Sequence, residues 1–314
     1  MQKNYTLQTG EYPSADGRST VIYYCFVPEG KPVRGILQIS HGMKEYVLRY
    51  QELANYFTAR GYLVCGNDHT GHGKSAAEGE LGRTGGADAM VKDVHTLTIL
   101  MREVFPHVPL VLVGHSMGSF IARLYATRHA SDIDGLVIVG TAGPGNPTGM
   151  GKTLAKITML FRGKRGRSKL LTKIAFGSYN KRIPRAKKQK LSKSAWLTRD
   201  NGVVEAYDND PYCNYIFTAK GFYDLFDLIG RVSHKKWAAR VPATLPTLVM
   251  SGEEDPVGNY GKGVRQIYDR LVAVHLTDVR MLLYPEMRHE VFNEVGKENV
   301  YADLAAWLSE RNFG

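Results

Sequence analysis

Residues 110–126 read LVLVGHSMGSFIARLYA. The run 110–114 is continuously apolar and rich in valine, as expected of a strand buried on both faces of a parallel sheet. After it, Phe120, Ile121, Leu124 and Tyr125 recur at helical spacing. Between the two lies Gly114-His115-Ser116-Met117-Gly118, a G-x-S-x-G pentapeptide. Alone it carries little weight. With a strand before it and a helix after it, it predicts a sharp turn that lifts the Ser116 hydroxyl out of the sheet as a nucleophile. The bland alternative is a glycine-rich turn with an incidental serine, and partners for Ser116 elsewhere in the chain decide against it.

Working outward, the same strand signature recurs at 35–40 (GILQIS), 62–66 (YLVCG), 136–140 (LVIVG), 247–251 (TLVMS) and 279–284 (VRMLLY). Segments 5–8 and 20–27 flank Asp16-Gly17 and read as an antiparallel hairpin at the sheet edge. Met90, Val94, Leu97, Met101 and Val104 form one helical face, and Val300, Leu304, Trp307 and Leu308 form another at the C-terminal end. Strand–helix alternation predicts an α/β fold, a mostly parallel central sheet with helices on both faces. The alternation breaks between about 144 and 243. A structureless loop of that length is improbable, so an inserted helical cap is expected at 144–243, with the core at 1–143 and 244–314.

The length of 314 residues suits one α/β core with an insertion. Three cysteines, Cys25, Cys65 and Cys213, do not make a disulfide framework, and the first two sit in apolar runs. The opening MQKNYTLQTG lacks an apolar signal region, and no segment approaches the roughly 18 apolar residues of a membrane span. A cytoplasmic location is expected. The net charge of +11 is uneven: 16 Lys or Arg and no Asp or Glu fall between Lys152 and Arg199, which leaves 25 basic against 30 acidic residues elsewhere.

A serine alcohol needs a base, and the base an orienting acid. With a nucleophile on such a turn, the chain order is Ser, acid, His. Of ten histidines, His289 in PEMRHEVFNE follows a late strand and precedes the last helix. The acid is expected in TLVMSGEEDPV, which offers Glu253, Glu254 and Asp255; Pro256, which can set a turn, favours Asp255. The developing oxyanion needs backbone N–H donors, expected from Met117 after the nucleophile and from Met43 in the loop after GILQIS. Asp68, His69 and His72 in DHTGHGKS could suggest a metal, but no further ligands complete a site, and none is expected. In GTAGPGNPTGMGKT the spacing rejects a phosphate-binding loop, because Gly145 stands one residue too far from Gly151.

HGMKEYVLRY, DHTGHGKS, GHSMG, GEEDPV and YPEMRHEVFNE are similar, in order and spacing, to the monoacylglycerol lipase and lysophospholipase branch of the α/β-hydrolases, often grouped with serine aminopeptidases. The resemblance spans about 35–140 and 246–308, plus DPYCNYIFTAKGF in the cap. It implies hydrolysis of carboxylic esters of lipid-like substrates without a cofactor. It supports Ser116, Asp255, His289, Met43 and Met117 position by position. It also implies that Glu45 and Arg49 help hold the alcohol end of a monoglyceride. The chain departs from the pattern twice. Tyr46 replaces an expected histidine, and Phe292 stands at a substrate-contacting position where animal monoglyceride lipases carry a histidine near the glycerol group. The head group is thereby left open. The alternatives are a short-chain carboxylesterase, a peptidase or a non-catalytic membrane-binding protein. A peptidase is disfavoured because no acidic cluster is dedicated to a free amino terminus, and nucleic acid because no motif accompanies the basic run.

In that run, Leu154, Ile157, Leu160 and Phe161 share a helical face beside Lys152, Lys156 and Arg162, and Leu170, Leu171 and Ile174 repeat the pattern near Lys169 and Lys173. Two readings follow. A basic amphipathic cap can dock on anionic membrane, with Lys187, Lys188, Lys190 and Lys193 contributing. Or the apolar residues line the acyl pocket from inside while the lysines are solvated.

Overall fold

The computed structural model describes residues 3–145, 147–183, 191–234 and 236–314. Lys187, Lys188 and Lys190 lie outside the described residues. The strands are β1 (Tyr5–Pro13), β2 (Thr20–Pro28), β3 (Gly35–Ser40), β4 (Tyr62–Asn67), β5 (Leu110–His115), β6 (Gly135–Val139), β7 (Thr247–Gly252) and β8 (Val279–Tyr284). Among the described residues they form an eight-stranded sheet in the order β1-β2-β4-β3-β5-β6-β7-β8. The β1–β2 hairpin is antiparallel and joins β4 antiparallel; every pair from β4 through β8 is parallel. The hairpin is longer than the sequence suggested, because β1 stays in register with β2 as far as Pro13.

Two-residue alternation in the strands distributes the core over two layers. Leu112, Leu136, Ile138 and Val249 face α2 (Ala87–Val104), α3 (Met117–Ala126) and α8 (Lys262–Ala273). Val111, Val113, Val137, Val139, Leu248 and Met250 face α1 (Gln51–Thr58) and α9 (Lys297–Ser309). The periodic residues of α3 and α9 are buried as expected. In α2, Met90, Val94, Leu97 and Met101 are buried but Val104 is 63% exposed, because the helix ends there and Phe105 packs inward instead.

Between β6 and β7 the chain leaves the sheet and forms α4 (Thr148–Arg162), α5 (Lys169–Phe176), α6 (Asn201–Asn209) and α7 (Ala219–Ser233). Three of these start on side-chain caps: Ser168, Asp200 and Thr218 each accept a hydrogen bond from a first-turn amide. The segment carries apolar clusters of its own, Ala155, Leu171, Phe217, Ala219 and Phe222 in one and Leu197, Tyr207 and Cys213 in the other. The three cysteines are free and buried, Cys25 opposite Cys65 across the β2–β4 pair. Among the described residues no helix is long and apolar enough to cross a membrane.

Candidate active site

The turn from β5 into α3 places Ser116 at φ 54°, ψ −119°, a strained conformation for a non-glycine residue. The close approach of Gly118 permits it. A Cβ there would run into the Ser40 carbonyl at the end of β3, so the first turn of α3 can sit against that strand only with glycine. Gly42 meets a similar limit, since a Cβ would strike the Glu45 carboxylate and come within 2.8 Å of the Ser116 Cβ.

The loop after β7 carries Asp255 and the loop after β8 carries His289. The pair is fully buried, with His289 Nδ1 2.9 Å from Asp255 Oδ2. Asp255 also accepts from the Val257 amide (2.8 Å) and the Ser251 hydroxyl (3.3 Å). A carboxylate so held fixes the Nδ1–H tautomer and leaves Nε2 as the basic nitrogen. Nε2 is buried and takes no hydrogen bond from the described residues. Glu253 and Glu254 lie on the exposed side of this loop.

His289, Ser116, Met43 and Met117 open on one cavity of about 710 Å³. The cavity floor comes from the sheet. Its other wall comes from the segment between β6 and β7, through Phe176, Tyr179, Trp196, Leu197, Tyr207 and Leu225. The Trp196 ring lies 4.9 Å from the His289 ring and is itself flanked by Tyr179 at 4.8 Å. Met117 begins α3, where amides have no intrahelical acceptor, and Met43 follows β3 on a tight turn.

Beside this group lies a buried polar cluster. Glu45 Oε1 accepts from the Gly42 amide, from His115 Nδ1 (2.8 Å) and from the Tyr50 hydroxyl (3.1 Å). Arg49 pairs bidentately with Glu290 at 2.8 Å on both arms and reaches Glu45 Oε2 at 3.3 Å. Burial opposes charge on Glu45, but the His115 and Arg49 cations outweigh it and hold the carboxyl well below its ordinary range. Burial likewise opposes charge on His115, and Glu45 outweighs it and raises that histidine above its ordinary value.

The three residues expected to contact substrate are thus placed differently. Glu45 lines the cavity. The Arg49 guanidinium is not on the wall: it is engaged by Glu290 and stacks over the Tyr207 ring at 4.9 Å, so it braces the site from behind. Phe292 is 2% exposed and packs between Tyr50 and Tyr301, so substrate contact gives way to core packing at that position. Tyr46, where a histidine was expected, donates its hydroxyl to Asp210 at 2.7 Å and ties the loop after β3 to the DPYCNY segment.

The DHTGHGKS loop is structural. Asp68 accepts from the Val47 and Lys74 amides (2.9 and 2.8 Å) and is pushed up to about 6 by burial. His41, His69 and His72 form a buried ring cluster, each lowered by burial. Among the described residues one trio, His95, His129 and Asp132, brings potential ligand atoms within 4.8 Å of one another. Its two imidazoles stack face to face at 3.8 Å, so their in-plane lone pairs run side by side instead of converging. None of the three lines the cavity.

Residues 31–296 match the sequence profile of the family described as serine aminopeptidase, S33. The chain belongs to this family. It is similar to the monoacylglycerol lipase of Mycolicibacterium smegmatis, 30% identical over 93% of this chain and 94% of that one. It is 27% identical to the monoglyceride lipase of Homo sapiens, over 95% and 89%. Among solved structures, a thermostable carboxyl esterase from Bacillus coagulans in complex with glycerol superposes with TM-score 0.89 at 30% identity, over 98% and 99%.

Several cavity residues had no motif to announce them. Trp196, Tyr179 and Phe176 come from the basic segment, where charge dominates the sequence pattern and aromatic spacing is irregular. Lys193, grouped with the membrane-facing lysines on sequence, lines the cavity.

Proposed function

We propose that this protein is a serine hydrolase that cleaves carboxylic esters of lipid-like substrates, monoacylglycerols or lysophospholipids, through an acyl-enzyme. Ser116 Oγ attacks the ester carbonyl while His289 Nε2 takes its proton. Asp255 holds the imidazole and stabilises the imidazolium. The Met43 and Met117 amides receive the oxyanion, and His289 then protonates the leaving alcohol. One observation carries this reading: a strained-turn serine and the unengaged nitrogen of a carboxylate-held histidine share an aromatic-walled cavity large enough for an acyl chain. The relatives named as monoacylglycerol lipases support the substrate class. Residues 144–243 then serve as a cap over the core formed by 1–143 and 244–314, supplying the wall that excludes water.

The peptidase alternative lacks a free carboxylate for an ammonium group. Glu45 and Glu290 are engaged by His115 and Arg49, and Asp208 by the hydroxyls of Ser192 and Ser194. Short-chain and lipid specificity separate in a series of glyceryl esters of increasing acyl length. Each buried methylene is worth about 0.8 kcal/mol, so kcat/KM is expected to rise by up to about fourfold per methylene until the cavity is full. A maximum at acetate or butyrate would assign a short-chain esterase instead.

We further infer peripheral docking of the cap on anionic membrane. The cap residues Leu160 and Phe161 are each 80% exposed, and Ile157, Leu170 and Ile174 are exposed with them. None of these lines the cavity, which supports docking over the reading in which they form its inner wall, while Leu154 and Leu171 of the same faces pack within the cap against Ala155, Phe217 and Phe222. Lys156, Arg162, Lys164, Lys169 and Lys173, all exposed, flank the exposed apolar residues along the chain. An apolar patch within a cationic rim fits the headgroup boundary of an anionic bilayer.

A further inference from the structure

His115, the residue before the nucleophile, is pinned at both ring nitrogens by atoms that can only accept. Nδ1 lies 2.8 Å from Glu45 Oε1, and Nε2 lies 3.3 Å from the backbone oxygen of His289. A neutral imidazole carries one N–H and one lone pair, so it would face one of these oxygens with a lone pair. The Tyr50 hydroxyl, 3.1 Å from Nδ1, does not remove the conflict, because it also lies 3.1 Å from Glu45 Oε1 and donates there. Protonating Glu45 is opposed by the Arg49 guanidinium, 3.3 Å from Oε2, and by the Gly42 amide and Tyr50 hydroxyl that both donate to Oε1.

We propose that His115 is a positioning residue, held as an imidazolium, that clamps three catalytic loops into one unit. One N–H holds Glu45, which holds the Gly42 amide and so the loop bearing Met43. The other holds the carbonyl of the catalytic His289. The ring itself hangs on the nucleophile turn. The charged and titratable groups around it are Glu45, Arg49, Tyr50 and His41 from the loop after β3 and the turn before α1, and Glu290 and His289 from the loop after β8. The two carboxylates outnumber the single guanidinium, so a cation fits the pocket.

The clamp also bears on the base directly: the His115 and His289 ring centroids are 4.8 Å apart, and the backbone oxygen that His115 holds belongs to the residue whose Nδ1 lies 2.9 Å from Asp255 Oδ2.

This inference rests on the triad reading above, and its test separates the two. With 15N-histidine-labelled full-length protein, His115 assigned through its backbone is expected to carry protons on both ring nitrogens at about pH 8, well above the ordinary histidine range near 6.5. In His115→Gln, kcat for a soluble ester is expected to fall by about 100-fold with KM little changed, as for a small misplacement of reacting groups. A purely structural role would leave His115 neutral, with one ring proton, at about pH 8. A His115 with one ring proton at about pH 8, or a folded His115→Gln enzyme with wild-type kcat, overturns the clamp and leaves the triad standing. Absence of Ser116 labelling by a fluorophosphonate in the wild type overturns the triad instead, while the nitrogen spectrum still decides the charge on His115 and needs no folded variant.

Discussion

At the scale of single residues, the chemistry depends on which groups are engaged and which are left free. Asp255 is fully committed to His289, Ser251 and the Val257 amide, so its replacement cannot be absorbed by Glu253 or Glu254, which point away. Asp255→Asn is expected to lower kcat by about ten-thousand-fold with the fold intact, because an amide stabilises the wrong tautomer of its histidine; steady-state hydrolysis with circular dichroism of the same sample checks this, and near-normal turnover would remove Asp255 from the mechanism. Ser116, His289, Met43 and Met117 were legible because each sits at a fixed place relative to a strand end, and strand ends can be read from apolar runs. Phe292 and Arg49 were placed by likeness to relatives, and their contacts depend on Tyr301, Tyr207 and Glu290, which lie far off in sequence. The His115 network was invisible for the same reason: its partners Glu45 and the His289 carbonyl are 70 and 174 positions away.

At the scale of elements, continuously apolar runs marked the parallel strands, which is why those strand positions read from sequence lie within a residue or two of the ones observed. The extent of β1 was less legible, because its residues 6–10 are mostly exposed and give no apolar pattern. Asp93 on α2 helps tie the start of that hairpin's turn to the core: it accepts from the Ser14 hydroxyl (2.8 Å) and the Ala15 amide (2.7 Å). Burial raises the Asp93 carboxyl from 3.8 to about 6 in spite of these bonds. The folded protein therefore holds this proton more tightly than the unfolded chain. The stability it contributes is fully present below about pH 4 and is lost as pH rises through about 6. Asp93→Asn removes that titration, so the wild-type Tm is expected to fall relative to the variant between those values. Thermal unfolding of both proteins across that range checks it, and parallel curves would contradict it.

At the scale of the whole molecule, the excess positive charge and the exposed side chains of Ile157, Leu160, Phe161, Leu170 and Ile174 fall on the same part of the chain, 152–199, while the rest is mildly acidic. Sequence alone does not separate the two readings of that segment, because a helix with an apolar stripe looks the same whether the stripe covers a cavity or meets a bilayer. Leu160→Ser with Phe161→Ser is expected to reduce co-sedimentation with phosphatidylglycerol vesicles at low salt by at least about tenfold, since two large side chains lose their apolar burial. Hydrolysis of a soluble ester is expected to stay near wild type, as neither residue lines the cavity. Equal binding of wild type and variant, or no preference for anionic over neutral vesicles, would return the cap to the role of a lid. The central claim is tested most directly by mapping the covalent adduct after incubation with a fluorophosphonate probe. The account predicts a single adduct on Ser116, suppressed by excess monoacylglycerol and absent from Ser116→Ala; an adduct on another serine, or undiminished labelling of that variant, would contradict it.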